Sequence, residues 1–141
     1  MRAVVTRVAR ASVSVEGVVY GKIEEPGLLV LLGVTHSDGD NEVTAMARKL
    51  HEIRALRDEQ SCATTGAPLL IVSQFTLYGD TRKGRRPSWT AAARPDQAEP
   101  IVDAVVADLR RRGARVETGK FGAMMSVESV NDGPFTLLVD V

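Results

Sequence analysis

Leu69 to Trp89, LLIVSQFTLYGDTRKGRRPSW, sets an apolar run, two polar side chains and a cluster of cations side by side. Leu69 to Val72, bounded by Pro68, reads as a strand covered on both faces. Ser73 and Gln74 follow it directly, and burying either one unpaired would cost on the order of 1–3 kcal/mol. They either tie neighbouring strands together or line a pocket. Arg82, Lys83, Arg85 and Arg86 place four cations in five residues, broken by Gly84. One reading is a solvated loop; the other is a seat for a ligand with a phosphate chain, because a candidate pocket adjoins the cluster.

Other chemistries have less support. His36 and His51 are the only imidazoles. His51 falls beside Leu50 on a helical stripe, whereas His36 follows a strand and is the better site candidate. No HExxH pair, G-x-S-x-G elbow or Gly-rich phosphate loop is present. A Ser73, His36, Asp80 triad can be written down, but nothing in the spacing selects it. Cys62 is the only cysteine, which excludes an internal disulfide and a cysteine zinc site and fits a reducing compartment. No cofactor or metal site is read from these residues. Gly133 and Pro134, within NDGP, read as a hairpin turn. Glycine permits unusual dihedrals and a proline peptide can be cis, so the same pair could instead fix the direction of two carbonyls.

These groups need a scaffold, and 141 residues suffice for one domain, 1–141, with a sizeable core. The formal net charge is zero, so nucleic-acid affinity must come from local clusters and be salt-sensitive. Arg2, Arg7 and Arg10 interrupt Val4, Val5 and Val8, and no apolar run is long enough to span a bilayer, which predicts a cytoplasmic protein without membrane contact. Residues 2–15 read as a long strand, Glu16 and Gly17 as a turn, Val18 to Ile23 as the return arm, and 28–34 as a central strand. Ser37 to Asp40 offer helix-starting side chains to a helix carrying Val43, Met46, Ala47, Leu50 and Ile53 and ending near Arg57. Asp58 to Ala67 reads as a polar loop. Val102, Val105, Val106 and Leu109 form the next helical stripe, started either by an Asp96–Glu99 capping pair or by Pro100 as its first residue. Short strands are expected at Ala114 to Thr118, Met125 to Val130 and Phe135 to Val141. The order predicts an α+β fold: a mainly antiparallel, curved or barrel-like sheet flanked by two main helices.

MRAVVTRV with RASVSV, GLLVLLGVTH, SQFTLYGDTRKGRRPSW, ETGKFGA and VNDGPFTLLVD together resemble the D-aminoacyl-tRNA deacylases of bacteria and eukaryotes over nearly the whole chain. SQFTL (Ser73 to Leu77) and NxGPxT (Asn131 to Thr136) are highly specific in combination. The resemblance implies a homodimer acting on aminoacyl-tRNA, hydrolysing the ester that joins a D-amino acid, or glycine, to the terminal adenosine. Gly133 and Pro134 would form a cis peptide inserted across the subunit interface, whose carbonyls meet the substrate amino group. An L side chain would collide with that backbone, so selection works by exclusion, and glycine has nothing to exclude. The resemblance further implies that no protein nucleophile is needed: the substrate 2′-hydroxyl helps activate water, and orientation with a backbone donor does the rest. Ser73, Gln74 and Phe75 carry over as contacts to the adenosine end and the oxyanion side, and Thr136 as a supporting hydrogen-bonding group. Arg82, Lys83, Arg85 and Arg86 are acceptor-stem contacts by charge. Two further readings are a non-catalytic RNA-binding module using the same basic loop, and an esterase drawing on His36 or Thr136. The chain departs from the family between Arg57 and Leu69, which is short and lacks a D-x-x-G-K-M-N segment. It also departs at Met124, where an acidic residue is common, and at Phe135, where Val is common.

Overall fold

Alternating valine and alanine in the first fifteen residues produce one long strand, β1 (Arg2–Val15), whose Ala3, Val5, Val8, Ala11 and Val13 are all buried. The computed structural model describes residues 1–141. A turn at Glu16 and Gly17, both with positive φ, leads into β2 (Val18–Ile23), antiparallel to the far half of β1. β3 (Gly27–Gly33) runs antiparallel to the near half, from Arg2↔Gly33 to Val8↔Gly27. β4 (Leu69–Ser73) and β5 (Val116–Thr118) then add in parallel, giving the order β2-β1-β3-β4-β5. β6 (Ser126–Asp140) lies antiparallel along the remaining side of β1. β2 and β5 approach each other, so the sheet nearly closes into a barrel and the fold is α+β, as expected.

Both faces of the sheet are apolar, and strand alternation divides them. Ala3, Val5, Leu28, Val30, Leu32, Leu69 and Ile71 form the outer core with two amphipathic helices. α1 (Asp40–Glu52) supplies Val43, Met46, Ala47 and Leu50. The helix at Pro95–Arg111 supplies Val102, Val105, Val106 and Leu109. Val8, Ala11, Val13, Ile23, Leu29, Leu70 and Val72 fill the barrel. β1 contributes to both because alternation sets Val8 on the face opposite Ala3 and Val5, and an extra residue at Ala9, between Val8↔Asn131 and Arg10↔Val130, keeps Ala11 and Val13 on the side of Val8. No helix is long and apolar enough to cross a membrane.

Several expected boundaries are corrected. The NDGP segment is not a turn between two strands: β6 runs straight through it and bulges there, because the chain resumes on the same partner in the same direction. α1 ends at Glu52, not near Arg57, since Ile53 is extended (φ −60°, ψ 131°). Residues 58–67 are not a plain loop. A tight turn with Asp58 and Glu59 both at positive φ covers Arg57–Glu59, and a single helical turn, α2 (Cys62–Thr65), is capped by Ser61 Oγ accepting from the Thr64 amide at 3.2 Å. This turn buries Cys62, and loss of solvent pushes its thiol up to about 12. The last helix, α3 (Pro95–Arg111), is capped at Arg94 with Pro95 as its first residue, so neither Asp96–Glu99 nor Pro100 starts it. Asp38 does not start α1 either: it is buried, accepts from the Thr35 amide at 2.8 Å and pairs with the N-terminal ammonium at 2.6 Å. Gly39 holds the cap position, its amide bonded by Glu42 Oε2 at 2.8 Å, and that bond lowers the Glu42 pKa.

Leu50 is fully buried in the outer core. Leu50→Ala should lower unfolding free energy by about 2–5 kcal/mol in a urea melt, against less than about 0.5 kcal/mol for Arg48→Ala on the exposed face of the same helix. Equal midpoints for the two variants would contradict this packing.

Candidate active site

The carboxyl end of β4 carries the first motif. Ser73 and Gln74 are half-buried, and the Gln74 amide bonds the Leu32 carbonyl at 2.8 Å, extending the β3–β4 ladder by one step. The chain then leaves the sheet in a 3₁₀ turn, Phe75–Tyr78. Gln74 Nε2 donates to Thr76 Oγ1 at 2.5 Å, inside its own turn. The amide side chain therefore does not brace a neighbouring strand. Phe75 is 57% exposed and meets Trp89 edge to face.

The second motif sits elsewhere. Asn131 is opposite Val8 and Thr136 opposite Thr6, so Asp132 to Phe135 stand out of the ladder. Asn131 Nδ2 closes the base of this loop by donating to the Arg7 carbonyl at 2.9 Å and the Phe135 carbonyl at 3.3 Å. Asp132 anchors its flank: Arg57 donates to both carboxylate oxygens at 2.5 and 3.2 Å, and Arg7 Nε donates to the Asp132 carbonyl at 2.7 Å. The Arg57 bonds hold the Asp132 carboxyl below its usual range. Arg7 also lies over the Phe135 ring, 4.4 Å from its centroid, so the bulkier residue at 135 serves as a platform for that guanidinium. Gly133 and Pro134 at the tip are exposed, and their peptide bond is cis. A Cβ on Gly133 would lie 2.1 Å from the Phe135 nitrogen, so no side chain fits there without moving the loop. Thr136 Oγ1 is 3.3 Å from Thr6 Oγ1 and otherwise faces outward.

The two motifs do not converge within one chain. Ser73 is level with Leu32, Ala3 and Val139, while the loop is level with Arg7, Leu28 and the opposite end of β4. Three strand spacings and about four residues separate them, on the order of 15–20 Å. Alternation also places Ser73 on the face of Leu69 and Ile71, and Thr136 on that of Leu138.

The remaining candidates fall into separate roles. His36 Nε2 contacts the Thr90 carbonyl at 2.7 Å, and Asp80 is bound by Arg82, so Ser73, His36 and Asp80 are not joined into a triad. His51 lies half-buried on α1. In the basic loop, Arg82 donates to Asp80 at 2.6 and 2.9 Å, leaving Lys83, Arg85 and Arg86 exposed without an ion pair. Residue type does not single out Arg7, Arg57 and Asp132: Asp132 lies inside NxGPxT and Arg7 inside MRAVVTRV, but nothing in the spacing joins them to each other or to Arg57.

Arg82, through its side chain and its amide, holds the Asp80 pKa at about 2 against an ordinary 3.8. Because the folded value is the lower one, the contact stabilises the loop fully above 3.8 and is lost as pH falls toward 2. In Arg82→Ala the Asp80 carboxyl-carbon titration should move back toward 3.8. A midpoint that stays low would remove the ion pair as its cause.

Comparison with known proteins places this geometry. The family described as D-Tyr-tRNA(Tyr) deacylase matches residues 4–140. D-aminoacyl-tRNA deacylase of Thermobifida fusca is 64% identical over 141 residues, covering 100% of both chains. That of Acidothermus cellulolyticus is 64% identical over 141 residues, covering 100% of this chain and 99% of the other. Among solved structures, c-Myc DNA Unwinding Element Binding Protein superposes with a TM-score of 0.92 at 37% identity, over 100% of this chain and 99% of that one. A probable eukaryotic D-amino acid tRNA deacylase gives 0.87 at 18% identity, over 99% and 98%, which supports the fold alone. With both motifs in place and the match running nearly end to end, the chain belongs to the D-Tyr-tRNA(Tyr) deacylase family.

Proposed function

We propose that this protein hydrolyses D-aminoacyl-tRNA, and glycine mischarged onto tRNA, in the cytoplasm, as a homodimer in which each copy completes the other's site. Family membership makes it a hydrolase of the aminoacyl-tRNA ester bond. The dimeric site is carried by one observation: within one chain, Ser73 and the Gly133–Pro134 loop lie on the order of 15–20 Å apart. A second copy is the simplest way to bring a loop against a Ser73–Phe75 end. The sheet offers a place for it, since the outer edge of β6 is unpaired and Leu138 beside it is 71% exposed.

In this reading Ser73, Gln74 and Phe75 hold the terminal adenosine, and a backbone donor near them stabilises the oxyanion as water adds to the ester carbonyl. The carbon–oxygen bond to the ribose then breaks, the departing oxygen takes a proton, and free amino acid and tRNA leave. The substrate's own 2′-hydroxyl orients and helps deprotonate the water, which suits a site where His36 and Asp80 are engaged elsewhere. Thr136 contributes a hydrogen bond. The carbonyls of Gly133 and Pro134, at the exposed tip of the loop, receive the substrate amino group and leave no room for an L side chain. Arg82 is committed to Asp80, so contacts to the tRNA phosphates fall to Lys83, Arg85 and Arg86.

A non-catalytic nucleic-acid-binding module is the second reading, favoured by the name of the relative described as binding a DNA element. Release of D-tyrosine from charged tRNA separates the two: turnover supports the hydrolase, and tight binding without turnover supports the module. In the same assay, His36→Ala and Thr136→Ala should each retain activity within about 10²-fold; a larger loss in either would indicate side-chain general-base or nucleophilic chemistry.

Gly133→Ala must displace the loop because its Cβ would meet the Phe135 nitrogen. The ratio of D- to L-tyrosyl-tRNA hydrolysis should drop at least about tenfold, equivalent to about 1.4 kcal/mol. An unaltered ratio would show that this loop does not make the choice.

A further inference from the structure

Two large rings stand on the surface beyond the carboxyl end of β4, where the core does not use them. Phe75 is 57% and Trp89 43% exposed, with centroids 5.3 Å apart and planes at 68°. In an edge-to-face pair, the ring presenting its edge keeps both faces clear of its partner. The indole is seated against bare backbone: a Cβ on Gly79 would come within 2.7 Å of Trp89 Cζ3. Trp89 is therefore placed by the fold, not left dangling.

Its neighbours are charged in one sense. Asp80 and Ser88 exchange amide–carbonyl bonds at 2.8 and 2.9 Å, closing residues 81–87 into a loop that begins after Asp80 and returns directly to Trp89. Every residue of that loop is exposed. Arg82 is neutralised by Asp80, whereas Lys83, Arg85 and Arg86 make no ion pair. An aromatic ledge beside unpaired cations is the arrangement that binds single-stranded nucleic acid, bases on the rings and phosphates on the cations.

We propose that Trp89 is a stacking site for the unpaired nucleotides that precede the terminal adenosine of the substrate, with Lys83, Arg85 and Arg86 receiving their phosphates. The inference rests on the reading that this protein acts on aminoacyl-tRNA. The reactive ester lies at the end of a flexible strand, and fixing only the last nucleoside leaves the tRNA body free to swing. Stacking is tolerant of base identity, so such a ledge constrains the strand without restricting the set of tRNAs accepted. The occupant is a strand of ribonucleotides, and its negative charge complements the loop.

Trp89 is the only tryptophan in the chain, so its fluorescence reports this place alone. Titrating the intact protein with the trinucleotide cytidylyl-cytidylyl-adenosine should quench that emission, and adenosine alone should quench it far less. Equal quenching by both, or by neither, would overturn the proposal. A kinetic comparison uses two substrates, D-tyrosyl-tRNA and D-tyrosyl-adenosine, the second lacking the preceding nucleotides. Trp89→Ala should raise the ratio of their KM values roughly tenfold, and Trp89→Phe should restore most of it. A variant that slows both substrates alike would make Trp89 only a prop for Phe75, against the proposal. If the unaltered protein cleaves neither substrate, the deacylase reading fails, while the trinucleotide titration still decides the stacking site. Removing Lys83, Arg85 or Arg86 one at a time should each lessen the salt dependence of KM for the tRNA substrate by about 0.7 in logarithmic slope. An unchanged slope in all three would sink the phosphate assignment.

Discussion

Both sides of β1 are hydrogen-bonded along most of its length, to β3 and β2 on one side and to β6 on the other. A strand held twice cannot slip by one residue without turning Ala3 and Val5 out of the outer core. That constraint decides the shape of β6. From Asn131 to Thr136 it takes five residue steps, while β1 takes two from Val8 to Thr6. The surplus has to leave the ladder, and it leaves as Asp132 to Phe135. The prominence of the Gly133–Pro134 tip is thus a result of register upstream and downstream, with Asn131 closing the base.

Charge pairing finishes what register begins. Asp132 is held from two directions, by Arg7 on β1 and by Arg57 at the start of the turn after α1. The short connection between α1 and β4 therefore does more than join them; it carries a guanidinium to the flank of the loop. At the other motif, Asp80 takes Arg82 out of circulation. A chain with equal numbers of acidic and basic residues can still present an unbalanced patch, because pairing is local and three cations next to Trp89 are left over.

Much of the sheet was legible because its signals are strong and short-ranged. Val-rich alternation marked β1, Glu16 and Gly17 marked the turn of the first hairpin, and three- and four-residue spacing marked both helices. What was not legible depended on partners distant in sequence. NDGP has the composition of a turn, yet the ladder on either side of it keeps one direction, which only the pairing with β1 decides. Asp38 looks like a helix starter until a buried ammonium claims it. Pro100 is tolerated inside α3, where local preference would have put it at the first position. The candidate site divided in the same way: SQFTL and NxGPxT stand out as motifs, but their separation within the chain is a matter of strand order, and Arg57 is an ordinary surface arginine until its carboxylate is located.

The helical turn that hides Cys62 has a practical corollary. With its thiol pushed up to about 12, the sulfur is almost wholly protonated at neutral pH and shielded from reagents as well. At this sulfur, alkylating agents and peroxide meet a buried, protonated thiol, so in the native fold Cys62 cannot crosslink one copy to another. The same sulfur reacts once the segment around α2 opens, which turns a lone cysteine into a built-in clock for the loosening of the connection that bears Arg57.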